Sequence, residues 1–442
     1  MWYNAAENTQ LITIEGEKNN LDVYSGLLEM GISQSVIDLA QEVEAELLSD
    51  FKSVDSIAEY NQLKVLSAMQ KNRLSDAHFI ATTGYGHNDI GRDTLEQIYA
   101  DVFKAESALV RPQIISGTHA LTVALFGNLR YGDEILSAVG KPYNTLEPVI
   151  GIRPARGSLA EHGITYRQAD LTVDGGVDFD NIRRNITPKT KLVLIQRSKG
   201  YAWRPSLFVD EIKTIIEAVK NIRSDIICLV DNCYGEFVEA NEPTEVGADL
   251  AVGSLIKSPG GGLAPVGGYI TGKEEYVENA AIRLTVPTQG KDVGPTLGVT
   301  KAMMQGLFVA PQVVNGCIKS AKFASRIFEK LGYETLPRST EKRTDIPQAI
   351  KLGSAEKLLS FCRGIQKAAP VDSYVCPEPG DMPGYETQVI MAAGAFVQGS
   401  TIELSADGPM EEPYVVFLQG GLTWSHAKIG VIIAIDNMLK AD

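Results

Sequence analysis

Short apolar runs rich in β-branched residues alternate with amphipathic stretches through the middle of the chain. Runs of this kind predict buried β-strands, and residues recurring every three to four positions predict helices. The predicted strands are Leu109–Ile115, Glu134–Val139, Thr165–Gln168, Lys191–Gln196, Ile226–Asn232, Leu250–Leu255 and Gly268–Thr271. Helical patterns such as Thr118–Leu129 and Pro205–Ile222 lie between them. This alternation predicts an α/β fold with a doubly wound, mostly parallel seven-stranded sheet, whose ligands bind beyond the carboxyl ends of the strands.

The segments on either side of this sheet have other patterns. Residues 1–25 are polar and predict an irregular arm. One helix face is predicted from Val36 to Val54, capped by Ser33, and a second helix from about Asp55 to Lys71. The elements predicted after residue 310 are helices at Val314–Lys330, Ser354–Ala369 and Trp424–Met438 and strands near Val389–Gln398 and Tyr414–Leu418. We therefore predict N-terminal helices and an arm over residues 1–60, a large domain over 61–310 and a smaller α+β domain over 311–442.

A lysine follows one of the predicted buried strands and precedes a glycine-rich turn, in the segment from Ser254 to Gly262 that reads SLIKSPGGG. An amine in a partly desolvated cleft holds its proton less tightly, so Lys257 could form a Schiff base with an aldehyde. The glycines would let the backbone approach a flat ring. Two alternatives stay open on these residues, a surface lysine and a serine hydrolase or acyl-transferase using Ser254 with Lys257.

An aspartate ends the preceding predicted strand, Ile226–Asn232, and stands 26 residues before Lys257, about one strand–helix–strand unit. Pyridoxal-5′-phosphate (PLP) needs a carboxylate at its ring nitrogen, which keeps that nitrogen protonated and the ring an electron sink. An isolated aspartate after a strand is more often a helix cap or an ion-pair partner. The spacing to Lys257 favours the cofactor role for Asp231.

Two further turns carry candidate cofactor contacts. Ser116, Gly117 and Thr118 lie at a strand-to-helix turn, where free N–H groups and hydroxyls suit a phosphate dianion, and the Ser254 hydroxyl could join them. Tyr143 follows another predicted strand, and its ring could stack on a planar cofactor. An ordinary helix cap and an exposed loop tyrosine are the alternatives. The nucleotide-binding patterns GxxxxGK[ST] and GxGxxG are missing from the sequence.

Composition and charge exclude several classes of protein. The net charge of −14 argues against a nucleic-acid partner, which would require a basic face. The five cysteines are scattered without a CxxC pair, which favours reduced thiols and a cytoplasmic location. The first residues lack the pattern of a signal peptide, and we expect no membrane span. The histidines and carboxylates lack the spacing of metal ligands, so we predict no metal site.

Six collinear segments resemble the aluminium-resistance or methionine γ-lyase-like family of fold-type I PLP-dependent enzymes, within the cysteine and methionine metabolism group. The segments are YNQLKVL, GYGHNDIGRDTLEQIYADVF, ALVRPQIISGTHA, LVDNCYGEFVE, GADLAVGSLIKSPGGGLAPVGGYI and LQGGLTWSHAKIG. They span residues 60–430, so the resemblance covers nearly the whole chain. It implies a fold-type I, PLP transferase-like large domain with PLP as cofactor.

The resemblance also implies residue roles. Lys257 would carry the cofactor and move the α-proton, Asp231 would pair with the ring nitrogen, and Tyr143 would stack on the ring. The implied phosphate contacts are Ser116, Gly117, Thr118 and Ser254. Tyr85 resembles a tyrosine that reaches the phosphate of a neighbouring subunit, which implies active sites shared within a homodimer or homotetramer. Arg197 and Ser198 sit where relatives contact the phenolic oxygen of the cofactor.

One departure concerns the substrate carboxylate, which fold-type I enzymes usually clamp with an arginine. The family commonly has a basic residue where this chain has Glu411. Arg338, Arg343 and Arg363 are the other candidates for the clamp. His87 and His119 are candidate pocket residues, with a structural role the more common alternative for isolated histidines.

The resemblance implies an amino acid as the small-molecule substrate and a carbon–sulfur lyase reaction, by β- or γ-elimination of a thiol. A γ-replacement synthase or another PLP reaction is the first alternative. A non-catalytic PLP-fold protein that serves in metal tolerance is the second.

Overall fold

The structure is a computed structural model that describes residues 22–382 and 385–441. The predicted N-terminal arm therefore lies almost entirely outside the described residues. Within them, the helices are α1 (Val23–Glu29), α2 (Gln34–Glu46), α3 (Leu48–Lys71), α4 (Ile90–Val102), α5 (Gly117–Asn128), α6 (Glu147–Ile150), α7 (Phe179–Asn185), α8 (Val209–Ile222), α9 (Glu274–Leu284), α10 (Thr300–Lys330), α11 (Ala355–Lys367) and α12 (Trp424–Leu439).

The strands of the described chain form two sheets. Those of the large sheet are β1 (Ser107–Arg111), β2 (Glu134–Ser137), β3 (Thr165–Gln168), β4 (Thr190–Gln196), β5 (Ile227–Asp231), β6 (Leu250–Ser254) and β7 (Gly268–Gly272). Those of the small sheet are β8 (Glu334–Leu336), β9 (Gln348–Lys351), β10 (Val389–Ala392), β11 (Ser405–Pro409) and β12 (Val415–Gln419).

The large sheet has seven strands in the order β1-β7-β6-β5-β4-β2-β3. Strands β6, β5, β4, β2 and β3 run parallel to one another, whereas β7 runs antiparallel to both β1 and β6. The prediction of a mostly parallel seven-stranded α/β sheet is confirmed. Each of the seven predicted strands matches an observed one to within a few residues at its ends.

Both faces of this sheet are buried, and successive side chains of its central strands enter the two cores in turn. Leu192 and Leu194 of β4 belong to the core on one face, together with apolar residues of α5 and α9. Val193 and Ile195 belong to the core on the other face, with the apolar stripe of α8. Successive side chains of a strand point to opposite faces, so an uninterrupted apolar run is the pattern of a strand covered on both sides.

The small sheet is antiparallel, in the order β10-β11-β12-β9-β8, and packs against α11 and α12. The predicted α+β region is therefore present, although the strand predicted to reach Gln398 ends at Ala392. Gly394 explains part of the difference, because a Cβ there would lie 2.1 Å from the carbonyl oxygen of Val371. The chain thus leaves the sheet in a tight packing site that only glycine fits.

Helix α10 joins the two regions. Its first half packs in the core beside the large sheet, and its second half, including Phe323 and Ile327, packs in the core of the small sheet. The predicted domain boundary between residues 310 and 311 falls inside this helix of 31 residues. The apolar stripe of α10 thus packs in the core beside the large sheet and in the core of the small sheet.

The N-terminal helices differ from the prediction in two details. The helix break lies at Leu47, between α2 and α3, rather than near Val54. The Ser33 side chain makes no capping hydrogen bond to α2, and the backbone N–H of Ser33 instead donates to Asp436 Oδ1 at 3.0 Å. A carboxylate on α12 therefore holds the residue that precedes this helix, and the predicted side-chain cap is not formed.

Candidate active site

A pocket opens at the carboxyl edge of the large sheet, where β5 and β6 lie side by side. Asp231 is the last residue of β5, and Lys257 follows the end of β6 by three residues. The residues lining the pocket are Tyr143, Gln196, Ser198, Gly200, Asp231, Cys233, Tyr234 and Lys257. The structure thus brings together the lysine, the aspartate and the tyrosine that the sequence singled out.

Asp231 is buried at the pocket wall. Its Oδ1 accepts a hydrogen bond from the backbone N–H of Cys233 at 3.1 Å. Burial raises the pKa of Asp231, and the positive charge of Lys257 opposes this effect. A buried carboxylate that faces a cation is suited to the protonated ring nitrogen of a pyridine.

The Lys257 ammonium lies 3.8 Å from the ring centroid of Tyr234. Burial alone would lower the pKa of Lys257, but the acidic groups of Cys233, Tyr234 and Asp231 outweigh it and hold the pKa above its ordinary value. Desolvation thus acts on the pKa of Lys257 in the predicted direction, but the net shift is opposite to the predicted one. The buried acids are the reason, and the amine must lose a proton before it can act as a nucleophile.

The predicted phosphate contacts meet at the start of α5. Ser116 caps this helix, and its Oγ accepts the N–H of His119 at 3.1 Å. A Cβ on Gly117 would lie 3.4 Å from the Cβ of Ser254, so the helix start is packed against the end of β6. The Ser254 hydroxyl is buried and has no hydrogen-bond partner among the described residues.

This unpartnered hydroxyl fits an absent anion. A buried polar atom usually has a partner, and a helix N-terminus with free N–H groups favours negative charge. Thr118, the remaining member of the set, shares a hydrogen bond with Thr145 at 2.8 Å between their hydroxyl oxygens. The residues present therefore fit the phosphate group of PLP.

Arg197 lies beside the pocket but does not line it. Its fully buried guanidinium donates to Asn232 Oδ1 and Glu239 Oε1, each at 2.7 Å, and to Thr344 Oγ1 at 3.1 Å. Its neighbours Gln196 and Ser198 line the pocket instead, and Gln196 Oε1 accepts the backbone N–H of Tyr143 at 2.7 Å. Arg197 thus anchors the pocket wall from behind.

Tyr85 is away from the pocket of its own chain. Its side chain is 66% exposed and stacks on the His87 ring, with 5.4 Å between the ring centroids. His119, the other candidate histidine, receives the backbone N–H of Ile115 on Nδ1 at 3.2 Å. Burial lowers the pKa of His119.

The candidate carboxylate clamps do not reach the pocket either. Arg338 is exposed, and Arg363 pairs with Glu378 at 2.6 Å. Arg343 is buried against Gln348 and the carbonyl oxygen of Ala321. Glu411 is exposed on the turn between β11 and β12.

Sequence reasoning missed a polar cluster beside the pocket. The Tyr143 hydroxyl hydrogen-bonds the Tyr385 hydroxyl, and Tyr201 packs against both rings. Asp407 of β11 lies beyond them, with its Oδ2 accepting from Gln419 Nε2 at 3.1 Å. These residues are far apart in the sequence, and the alternation of β11 and β12 gave no signal for them. Cys233 and Tyr234, which also line the pocket, were missed too, although they stand two and three residues after Asp231.

Comparisons with known proteins agree with this geometry. The family model described as methionine gamma-lyase matches residues 36–439. The chain belongs to the methionine gamma-lyase family. This family membership confirms the prediction of a PLP-dependent enzyme of the carbon–sulfur lyase class. The fold-type I large domain is confirmed with it.

Individual relatives cover the chain to different extents. The uncharacterised protein YnbB of Bacillus subtilis is 52% identical over 403 residues, which are 91% of this chain and 96% of that protein. The L-methionine gamma-lyase of Porphyromonas gingivalis is 22% identical over 212 residues, 48% of this chain and 49% of that enzyme. The chain is thus similar to YnbB over most of its length, and its similarity to the enzyme named L-methionine gamma-lyase is lower and covers about half of the chain.

Solved structures extend the comparison. The carbon–sulfur lyase involved in aluminium resistance from Clostridium novyi has a TM-score of 0.90 and 51% identity, covering 93% of this chain and 98% of that one. The PLP-dependent protein YhfS of Escherichia coli has a TM-score of 0.60 at 14% identity, covering 87% and 96%. The latter shares the fold alone.

The described residues lack two kinds of feature. No helix in residues 22–382 or 385–441 combines the length and apolarity that crossing a bilayer requires. Over the same ranges, no group of three or more histidine, cysteine or acidic side chains is arranged to hold a metal ion.

Proposed function

We propose that the chain eliminates a thiol from a sulfur-containing amino acid, with PLP carried by Lys257. One observation carries this proposal: Lys257, Asp231 and Tyr143 line a single pocket, beside the buried, unpartnered hydroxyl of Ser254. Relatives named for methionine and cystathionine chemistry make a thioether amino acid the proposed substrate class. When bound, PLP supplies the electron sink that lets a substrate lose its α-proton and then its thiol group.

The pocket residues would hold PLP in the following way. Asp231 would face the ring nitrogen, and the Tyr143 ring would stack on the pyridine. The N-terminus of α5, with Ser116, Gly117 and Thr118, would receive the phosphate together with Ser254. Arg197 would act on the cofactor's phenolic side through the pocket wall, because its guanidinium is already bound to Asn232 and Glu239.

Lys257 and Tyr143 would move the protons. The Lys257 amine would take the α-proton of the substrate, as its place in the pocket allows. Burial raises the pKa of Tyr143 well above its usual value, so its hydroxyl stays protonated and can donate to the departing sulfur. Burial of both groups also keeps bulk water from competing for these protons.

The same proposal extends to assembly and location. Tyr85 is exposed in the single chain, which supports a role at the phosphate of a neighbouring subunit in a homodimer or homotetramer. The five cysteines are free thiols, four of them buried, which supports a reducing cytoplasm.

The first test compares wild type with Lys257→Ala after each is supplied with PLP. We expect a visible absorbance band and thiol release from methionine or cystathionine for wild type only, because the variant lacks the amine that binds the cofactor's aldehyde. Lys213→Ala, on the exposed face of α8, is the matched control and should behave as wild type.

The same assay separates the alternatives. Incorporation of an added thiol into a new thioether would indicate a γ-replacement synthase. A cofactor band without turnover of any amino acid would indicate the non-catalytic protein of metal tolerance. If wild type and Lys257→Ala both fail to show the band, PLP is not bound through Lys257 and the proposal is wrong.

A further inference from the structure

A row of tyrosine hydroxyls connects the pocket with the small sheet. Tyr143, in the loop after β2, hydrogen-bonds Tyr385, in the segment before β10. The side chain of Tyr385 interacts in turn with the Tyr201 hydroxyl, and the two ring centroids are 5.4 Å apart. The Tyr201 hydroxyl then interacts with the carboxyl group of Asp407, and burial and this carboxyl group both raise the pKa of Tyr201. The row therefore begins at a pocket residue and ends at a buried acid.

The buried acid is suited to hold a proton. Asp407 is 3% exposed, and its Oδ1 atom has no hydrogen bond of regular geometry among the described residues. Burial raises the pKa of Asp407 to about 7, against the effects of Tyr201, Gln419 and the charge of Lys257. Near neutral pH the carboxyl group of Asp407 is thus protonated for much of the time, whereas an aspartate on the protein surface is ionised.

Groups from several elements act on this acid. Gln419 lies on β12, Tyr201 follows β4, and Lys257 follows β6. From the helix side, the thiol of Cys362 on α11 interacts with the Asp407 charge. Of these four neighbours of Asp407, Lys257 is positively charged, and the amide, phenol and thiol are neutral.

The proposed reaction requires a proton on the side of the pocket away from Lys257. A departing alkyl thiolate is basic, with a pKa of about 8.5 for the cysteine thiol, and it leaves faster when a general acid protonates it. Tyr143 can supply that proton, but burial disfavours the phenolate that would remain. The Tyr143 oxygen therefore needs a replacement proton at once.

We propose that Tyr385 and Tyr201 relay protons from Asp407 to Tyr143, so that Asp407 is the proton reservoir for the departing thiol. The inference rests on the proposed function. Asp407 is a positioning residue in this scheme, because it acts through three hydroxyls and does not touch the substrate.

The transfers balance. The O–H bond of Tyr143 breaks and an S–H bond forms on the departing group. Tyr385 gives its proton to the Tyr143 oxygen, Tyr201 gives its own to Tyr385, and the Asp407 carboxyl gives its own to Tyr201. Each electron pair stays on the oxygen that lost the proton, and nothing is oxidised. Asp407 ends as a carboxylate and regains a proton from water after the thiol has left.

The test compares two substrates with Asp407→Asn. An S-alkyl cysteine releases a basic thiolate that needs protonation, whereas an S-aryl cysteine with an electron-withdrawing ring releases a stable thiolate. We expect kcat for the alkyl substrate to fall about 100-fold or more, the usual contribution of a general acid. We expect kcat for the aryl substrate to change less than about threefold, because its leaving group needs no acid catalysis.

Two further variants keep the test independent of one substitution. Tyr385→Phe breaks the row and leaves the acid in place, so it should reproduce the selective loss even if Asp407→Asn does not fold. Asp381→Asn makes the same change at an exposed acid of the small domain and should leave both rates as in wild type.

A readout that needs no cofactor accompanies the kinetics. The infrared C=O stretch of a protonated carboxyl group should be visible in unloaded wild type at pH 6 to 7 and should titrate away at higher pH. Asp407→Asn should lack the component with a midpoint near 7, and Tyr385→Phe should retain it. A wild-type spectrum without that component would overturn the reservoir.

The outcomes separate this inference from the function beneath it. Equal losses for the alkyl and aryl substrates, or an effect on KM alone, would overturn the relay and leave the lyase function standing. A wild-type protein that releases thiol from neither substrate would overturn the proposed function and the relay with it.

Discussion

At the scale of single residues, the pocket is unusual for the number of acids buried around one lysine. Asp231, Cys233 and Tyr234 surround Lys257, and together they keep its amine protonated in the chain alone. Glu236 lies just beyond, fully buried, with its Oε1 accepting from the Tyr269 hydroxyl at 2.9 Å. Burial raises the pKa of Cys233, Tyr234 and Glu236 and so favours their neutral forms. Asp231 is therefore the group suited to face a positively charged aromatic ring.

The burial of Glu236 and Asp407 makes the free energy of unfolding depend on pH. Burial raises the pKa of Glu236 to about 8 and that of Asp407 to about 7. Both exceed the unfolded values of about 4, so between pH 4 and 8 the folded chain binds more protons than the unfolded one. We therefore expect the free energy of unfolding contributed by these groups to fall as pH rises through this window. The slope is at most about 1.4 kcal/mol per pH unit for each group.

Denaturant unfolding of the unloaded protein at pH 5, 6, 7 and 8 measures this slope. Glu236→Gln removes one titrating group while keeping the shape of the side chain, so stability should fall less steeply with pH. Glu217→Gln, on the exposed face of α8, is the control and should keep the wild-type slope. A slope in Glu236→Gln equal to that of wild type would show that Glu236 is not the buried titrating group.

At the scale of elements, the turn after Lys257 depends on how closely two backbones approach. Gly260 lies in this turn and Gly306 on α10, and a Cβ on Gly306 would be 2.2 Å from the carbonyl oxygen of Gly260. The helix backbone therefore presses directly on the turn that carries the lysine. Because neither partner in this contact is a flexible side chain, the contact can be relieved only by moving the helix or the turn.

We accordingly expect Gly306→Ala to destabilise the protein by about 1–3 kcal/mol, the usual cost of overpacking, and to weaken PLP binding. Gly26→Ala is the matched control, because Gly26 also lies in a helix, α1, but has no atom within 4 Å of its added Cβ. It should be neutral or stabilising by up to about 1 kcal/mol, since alanine is the better helix former. Equal effects of the two substitutions would contradict the close contact.

The elements also explain what the sequence could and could not predict. The central strands of the large sheet were predictable because both of their faces are covered, so each of them is a largely apolar run between polar segments. Asp231 and Lys257 were predictable because each follows such a run. The helix break at Leu47 was not predictable, because apolar residues continue through it at helical spacing. The places of Tyr385 and Asp407 near the pocket were not predictable, because only the tertiary fold brings the small sheet to the pocket.

At the scale of the whole molecule, the surface near Tyr85 exposes several large apolar side chains. Ile80, Ile90 and Leu297 are 68%, 51% and 61% exposed, and the backbone N–H of Leu297 donates to Thr82 of the same segment. Exposed apolar residues grouped in this way mark interaction surfaces. With Tyr85, they are the surface on which we expect the proposed second copy of the chain to dock, so that each copy would complete the phosphate site of the other.

We therefore expect Leu297→Glu to shift the protein towards monomers in analytical ultracentrifugation, because the substitution places a charge in an apolar contact. The monomer should also bind PLP more weakly, since it lacks the partner's tyrosine. Tyr85→Phe should leave the assembly intact and weaken PLP binding through the loss of one hydroxyl, by about tenfold for a hydrogen bond to a charged group worth about 1.5 kcal/mol. Val173→Glu, at an exposed loop position, is the control for added charge. Monomers of Leu297→Glu that bind PLP as tightly as the wild type would show that each pocket is complete within its own chain.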